Sequence, residues 1–190
     1  MDNKISAESP FYYSKEFNLS SDKKLYIRNA ITKDASDIIN FFKAASDESE
    51  NLSFSSSEYH VTDYQEKIAI STINQDYQSI MMLGFIDEEL CCVAELITPV
   101  EIRFSHNVEY SITVKKKFWN MGIGSIVTKE AIKYAESVNV KNITLSVRSE
   151  NCAAIGIYEK YGFEKTGIRK NYFCVDGKFD DEIFMQLQLY

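Results

Sequence analysis

Residues Tyr110 to Ala135 read YSITVKKKFWNMGIGSIVTKEAIKYA: a strand, a basic turn with two glycines, and an amphipathic helix. Tyr110, Ile112 and Val114 alternate with polar residues, the period-2 pattern of a half-buried strand. Gly122 and Gly124 open a helix with apolar positions at Ile123, Ile126, Val127, Ala131, Tyr134, Ala135 and Val138. That recurrence at i, i+3, i+4 and i+7 marks one buried stripe. Lys129, Glu130, Lys133 and Glu136 are assigned to the opposite, solvated face.

A turn of this kind is suited to holding an anion. The first amides of a helix have no intrahelical acceptors, and the helix dipole adds positive potential there. Glycine removes the Cβ that would keep a ligand from the backbone. The amides from about Met121 to Ser125 can therefore cradle a phosphate or pyrophosphate, with Lys115, Lys116 and Lys117 adding charge. Two nucleotide-binding patterns are ruled out. G-x-G-x-x-G fails because Val127 stands at the third glycine position, and no G-x-x-x-x-G-K-[ST] occurs. On the turn alone, a helix start with two convenient glycines and a solvated lysine run explains the pattern equally well.

The flanking segments complete an architecture. Asn142 to Val147 is short, apolar and β-branched, and should lie parallel to the Val108–Val114 strand in a β-α-β unit. Asn151 can cap a helix from Cys152 to Tyr161, with Gly162 as its left-handed stop. Phe163 resumes an extended segment. Asp176-Gly177 is a two-residue hairpin turn into a last strand patterned by Ile183, Met185, Leu187 and Leu189. Upstream, Ser79–Ile86 and Glu89–Thr98 form a hairpin through Asp87-Glu88. Asp63 to about Ile73 is a helix, and 46 to 60 is a polar loop. Thr32 is the expected N-cap of a helix with a buried face of Ala35, Ile38, Ile39, Phe42 and Ala45. Leu25–Ala30 is the expected first strand. The order β-α-α-β-β-β-α-β-α-β-β predicts an α/β (α+β) fold: a mixed sheet of about seven strands with helices on both faces. Residues 23–190 form a single domain. Residues 1–22 are an extension whose triplet Phe11, Tyr12 and Tyr13 either docks on the body or belongs to a mobile tail.

Composition narrows the partners. The chain has 190 residues and is 45% hydrophobic, enough for a sizeable core. A net charge of −7 argues against general binding of nucleic acid or an anionic membrane, and suits cationic partners such as amines. Ile80–Ile86 is the longest apolar run, too short to span a bilayer. MDNKISAESP carries no apolar signal core, so a cytoplasmic protein is expected. Cys91, Cys92, Cys152 and Cys174 form no C-x-x-C pair, and only His60 and His106 are present. No metal site and no disulfide is expected.

The chain resembles the GNAT superfamily of acetyl-CoA-dependent N-acetyltransferases. The family's turn has Gln or Arg, two residues, Gly, one residue, then Gly or Ala, after a strand ending in Val. Gly122 and Gly124 match it after Val114, with Trp119 at the Gln/Arg position. The downstream helix N-C-A-A-I-G-I-Y-E-K-Y-G-F looks like the family's N-x-x-A-x-x-x-Y-x-x-x-G-F. Asn151, Ala154, Tyr158, Gly162 and Phe163 are in register. The likeness spans about residues 24 to 189, and the two motifs stand in the right order on the right elements.

The resemblance implies N-acetyl transfer from acetyl-CoA to a primary amine, on a small molecule or a peptide. It implies a splayed central strand pair that admits the cosubstrate. The implied cosubstrate contacts are Ile112, Thr113 and Val114 along the strand, Trp119, Asn120, Met121, Gly122, Ile123, Gly124 and Ser125 around the turn, and Asn151 beyond. Tyr158 is implied as the general acid toward the departing sulfur. Glu109, on the strand that enters the turn, is the candidate base, with Glu95 as its alternative. Each has a plain structural reading too: Tyr158 as a core residue, Asn151 as a cap, Glu109 as a strand-surface glutamate. A non-catalytic acyl-CoA-binding sensor is the competing function. The sequence leaves the acceptor unnamed and leaves a homodimer open.

Overall fold

The computed structural model describes residues 12–19 and 22–190. Phe11 of the aromatic triplet lies outside the described residues. The strands are β1 (Ser14–Asn18), β2 (Lys24–Asn29), β3 (Ile80–Ile86), β4 (Glu89–Ile97), β5 (Asn107–Val114), β6 (Asn142–Arg148), β7 (Glu164–Val175) and β8 (Lys178–Gln188). The helices are α1 (Ala35–Glu48), α2 (Asp63–Gln75), α3 (Ile123–Ser137) and α4 (Cys152–Lys160). All eight strands form one sheet in the order β1-β2-β3-β4-β5-β6-β8-β7. Among the described residues only β5 and β6 pair in parallel, as the intervening α3 requires. No helix among them is long and apolar enough to cross a membrane.

Strand alternation sorts the side chains into two cores. Leu96, Ala94, Val108 and Tyr110 meet α3 and α4 through Ile123, Val127, Ala131, Ile155 and Tyr158. On the other face, Met81, Leu83 and Val93 meet Ala35, Ile38, Phe41 and Ile70 of α1 and α2. The turns follow local chemistry. Asp87 and Glu88 adopt φ of 51° and 65°, and Asp176 and Gly177 adopt 49° and 76°. Both pairs have the double positive φ of a tight hairpin.

Three expectations need correction. Among the described residues the sheet has eight strands, because Ser14–Asn18 pairs antiparallel with β2 from Ser14–Arg28 to Asn18–Lys24. Its residues, SKEFN, carry too little apolar alternation to announce a strand. The start of α1 is not capped by Thr32. A 3₁₀ turn from Thr32 to Asp34 precedes the helix, and Asp34 accepts from the Ile31 amide at 2.8 Å while pairing with Arg28 at 2.7 Å. On α1 the other expected positions are buried, but Phe41 is the buried ring and Phe42 packs half-buried beside it.

The third correction is Glu130, expected on the solvated face of α3 but only 2% exposed. The N-terminal segment covers it. Tyr13 donates to its Oε2 at 2.9 Å, Lys15 pairs with the same oxygen at 2.7 Å, and Lys133 pairs with Oε1 at 2.7 Å. Burial alone would raise its pKa, but the bonds from Lys133, Lys15 and Tyr13 hold it below the usual carboxylate range. A depressed folded pKa stabilises the fold above the unfolded value, and that stability is lost as pH falls through the lowered pKa. Glu130→Ala should cost about 2 kcal/mol at neutral pH, since it strands three donors. Urea midpoints should show the difference at pH 7 and a smaller one in acid.

Candidate active site

The site begins where β5 and β6 separate. They pair through Asn107–Asn142, Val108–Ile143 and Glu109–Thr144, and then part. Beyond that point β5 keeps its ladder with β4 up to Val114, while β6 follows β8. The Lys115 amide donates to Cys91 O at 3.0 Å, which sets the antiparallel alternation. Odd-numbered β5 residues therefore turn their backbone groups toward β4. Ile112 and Val114 turn theirs into the gap, where a ligand can pair as a strand would. The Thr113 amide belongs to the β4 side.

At the open end of the gap lies a cavity of about 780 Å³. Its walls are Ile112, Thr113 and Val114 of β5, Trp119 and Asn120 of the turn, Gly122 to Ser125 of α3, and Asn151 to Ala154 and Tyr158 of α4. This joins the strand, the glycine turn and the tyrosine helix, which lie up to 46 residues apart in sequence from Ile112 to Tyr158. Met121 packs half-buried against the adjoining core. Glu109 is exposed on the opposite sheet face, at the last rung before the strands part.

The α3 entrance has anion-binding geometry. Gly122 is the N-cap, with φ of 83°, and a Cβ there would project into open space. Only glycine takes this left-handed turn without strain while leaving that space clear. Gly124 has a different task. A Cβ on it would lie 3.1 Å from Ile157 Cδ1, so its bare backbone lets α4 pack against α3. Ser125 Oγ is 2.9 Å from the Tyr161 hydroxyl and receives Lys160 Nζ at 3.3 Å, which places a cation by the cradle.

The lysine run is arranged differently from its reading as a phosphate patch. Lys117 and Lys115 pair with Glu89 on β4, at 2.5 and 3.6 Å. The Lys116 amide donates to Glu48 at the end of α1, at 2.7 Å. Trp119 occupies the Gln/Arg position of the turn. Its Nε1 donates to Val114 O at 2.8 Å, latching the turn to the strand end.

Tyr158 is 6% exposed, between Tyr110 (ring centroids 6.3 Å apart) and Phe163 (5.7 Å). Burial pushes its pKa up to about 12, so the phenol stays protonated at neutral pH. Its hydroxyl has no hydrogen-bond partner among the described residues, although Tyr110 beside it is paired to Thr128 Oγ1 at 3.0 Å. Asn151 accepts from the Ala154 amide at 3.2 Å, capping α4.

The sheet face opposite Tyr158 carries carboxylates. Glu95 sits directly across from Ser111, whose Oγ donates to it at 3.2 Å. Burial raises the Glu95 pKa, the Ser111 bond opposes this, and the charge of Glu109 raises it further. Glu66 of α2 is 6% exposed and is pushed up to about 7, by burial first and then by Glu95. Sequence reading named Glu109 and Glu95 but missed Glu66. The available signal was its place four residues before buried Ile70, on the sheet-facing side of α2.

A mixed sheet with one parallel pair split at its centre, and a helix N-terminus at the mouth of the split, defines the class of α/β fold. The family model described as "Acetyltransferase (GNAT) family" matches residues 41–163. The chain belongs to the GNAT acetyltransferase family. It is 34% identical over 84 residues to the L-amino acid N-acetyltransferase AaaT of Escherichia coli K12, covering 44% of this chain and 52% of that one. The chain spans about half the length of the curated relatives it matches. A GNAT-family acetyltransferase from Streptococcus pneumoniae superposes with a TM-score of 0.83 at 26% identity, covering 87% of this chain and 99% of that one. The Salmonella typhimurium protein yncA, solved with its cofactor acetyl-CoA, superposes with a TM-score of 0.74 at 20% identity, covering 87% and 94%.

Proposed function

We propose that this protein transfers the acetyl group of acetyl-CoA to a primary amine, in the cytoplasm and without a metal. The observation that carries the reading is the Tyr158 hydroxyl, unpartnered and held protonated in the same cavity as the α3 cradle and the free edge of β5. The residues present fit the cosubstrate. Gly122 leaves open space before three or more unpaired amides. Ile112 and Val114 offer a strand-like edge, and a cavity of about 780 Å³ is ample for a cofactor arm.

Acetyl-CoA supplies an activated acyl carbon and a thiolate leaving group. The chain supplies everything else. The α3 amides, Ser125 and Lys160 hold the pyrophosphate, and Ile112 and Val114 align the arm. The Ile112 amide faces the gap and is the donor placed to stabilise negative charge on the thioester oxygen. Glu109, open to water at the apex of the split, takes the ammonium proton and returns it to solvent. The neutral amine attacks, the C–N bond forms and the C–S bond breaks. Tyr158 gives its proton to the departing sulfur and recovers one from the amide nitrogen through water. One proton is released overall.

Gly122→Val tests the cradle. Its side chain would enter the space before the amides and strain a positive φ. Calorimetry should show acetyl-CoA affinity at least about tenfold weaker in a variant that circular dichroism finds folded. Unchanged affinity would remove the turn from the site.

A further inference from the structure

The reading above leaves the acceptor open, and the inference drawn here rests on that reading. Glu66, Glu95 and Glu109 gather on the α1/α2 face of the sheet, beside the split. Glu66 is more than nine-tenths buried, yet its carboxylate has no hydrogen bond or ion pair among the described residues. It lies close enough to Glu95 to feel its charge, and the Tyr59 hydroxyl feels the charge of both. Two coupled carboxylates on one half-buried face, with no ion pair to either among the described residues, favour the entry of something cationic.

The surroundings describe what would enter. Tyr59 stacks on Phe54, with ring centroids 4.9 Å apart, and both pack against Phe42 at 5.6 and 6.2 Å. These half-buried rings, Phe54 and Tyr59 of the 49–62 loop and Phe42 of α1, form one wall. Ser111 and Glu109 are exposed on the floor, so the basin is open on the side of the split. Ser111 adjoins Ile112, whose amide faces the cosubstrate gap, so an ammonium at Glu95 lies one strand away from the acyl position. A carboxylate on the acceptor would therefore meet the three glutamates of this face.

We propose that Glu66, Glu95 and the Tyr59–Phe54–Phe42 wall form the acceptor subsite, and that it takes a small primary amine with an apolar body and no carboxylate beside the nitrogen. The ammonium sits between the two glutamates, and the apolar body stacks on the rings. The chemistry points away from free amino acids.

Phenethylamine and phenylalanine, which differ only in the carboxylate, are suitable probes. Wild type with acetyl-CoA should show kcat/KM at least about tenfold higher for phenethylamine. Glu66→Gln keeps the shape and removes a buried charge, so it should fold. It should lower kcat/KM for phenethylamine by about 10–100-fold, mainly through KM, and narrow the preference, while acetyl-CoA affinity is unchanged. Thermal shift without acetyl-CoA provides a reading independent of transfer: phenethylamine should raise the wild-type midpoint and leave Glu66→Gln unmoved. A preference for phenylalanine, a Glu66→Gln variant with the wild-type ratio, or acetylation confined to peptides would overturn the subsite. Failure of acetyl-CoA to bind in calorimetry, with the amine shift intact, would instead strike the acetyl-transfer reading.

Discussion

Tyr158→Phe is expected to bind acetyl-CoA nearly as the wild type does and to lose about 10²–10⁴-fold in single-turnover rate. The substitution keeps the ring, and with it the contacts to Tyr110 and Phe163 that fix α4 against the sheet. The hydroxyl contributes no hydrogen bond to the fold among the described residues, so its removal should cost little stability. What should be lost is the proton that Tyr158 is proposed to give the departing sulfur. The phenol pKa, pushed up to about 12, keeps that proton available across the neutral range. A donor thioester with a more acidic thiol needs less assistance, so the loss should shrink with such a donor. Single-turnover measurement matters because slow product release would mask a chemical step in kcat. An unchanged rate would return Tyr158 to the core.

Glu109→Gln is expected to lower kcat/KM by about 10²-fold or more at neutral pH, and by only a few-fold at a pH where the acceptor amine is already neutral. The reason is the protonation state of the acceptor. An alkylamine is almost wholly ammonium at pH 7, and a neighbouring carboxylate must accept its proton before attack. Glu109 lies at the last rung before β5 and β6 part and is open to solvent, so a proton taken there can leave. A loss of equal size at every pH would argue against the role. If Glu95→Gln showed the pH-dependent loss instead, the base would be the half-buried neighbour across from Ser111.

The two motifs were legible because each is local. Gly122 must take φ of 83° at a helix start, and Tyr158 falls at a fixed helical offset from the cap Asn151. The split between β5 and β6 was foreseen only through the resemblance. Other parts depend on contacts between distant segments. Glu130 looks like a solvated helix residue until Tyr13 and Lys15 arrive from more than 100 positions away. The lysine run looks like a phosphate patch until Glu89, across the sheet, claims two of its members. Glu66, Tyr59 and Glu95 belong to a helix, a loop and a strand, and no spacing rule links them. Periodicity reports which face is buried, and the partner across that face is set by the tertiary fold.

The proposed acetyl transfer to an amine at this cleft can be read by incubating the protein with acetyl-CoA and a panel of primary amines, following thiol release and identifying the product by mass spectrometry. Thiol release should depend on the acceptor, saturate with it, match N-acetylated product one to one, and fall sharply in Tyr158→Phe. Tight acetyl-CoA binding with no acceptor-dependent release from any amine or peptide would contradict it, and would describe an acyl-CoA sensor instead.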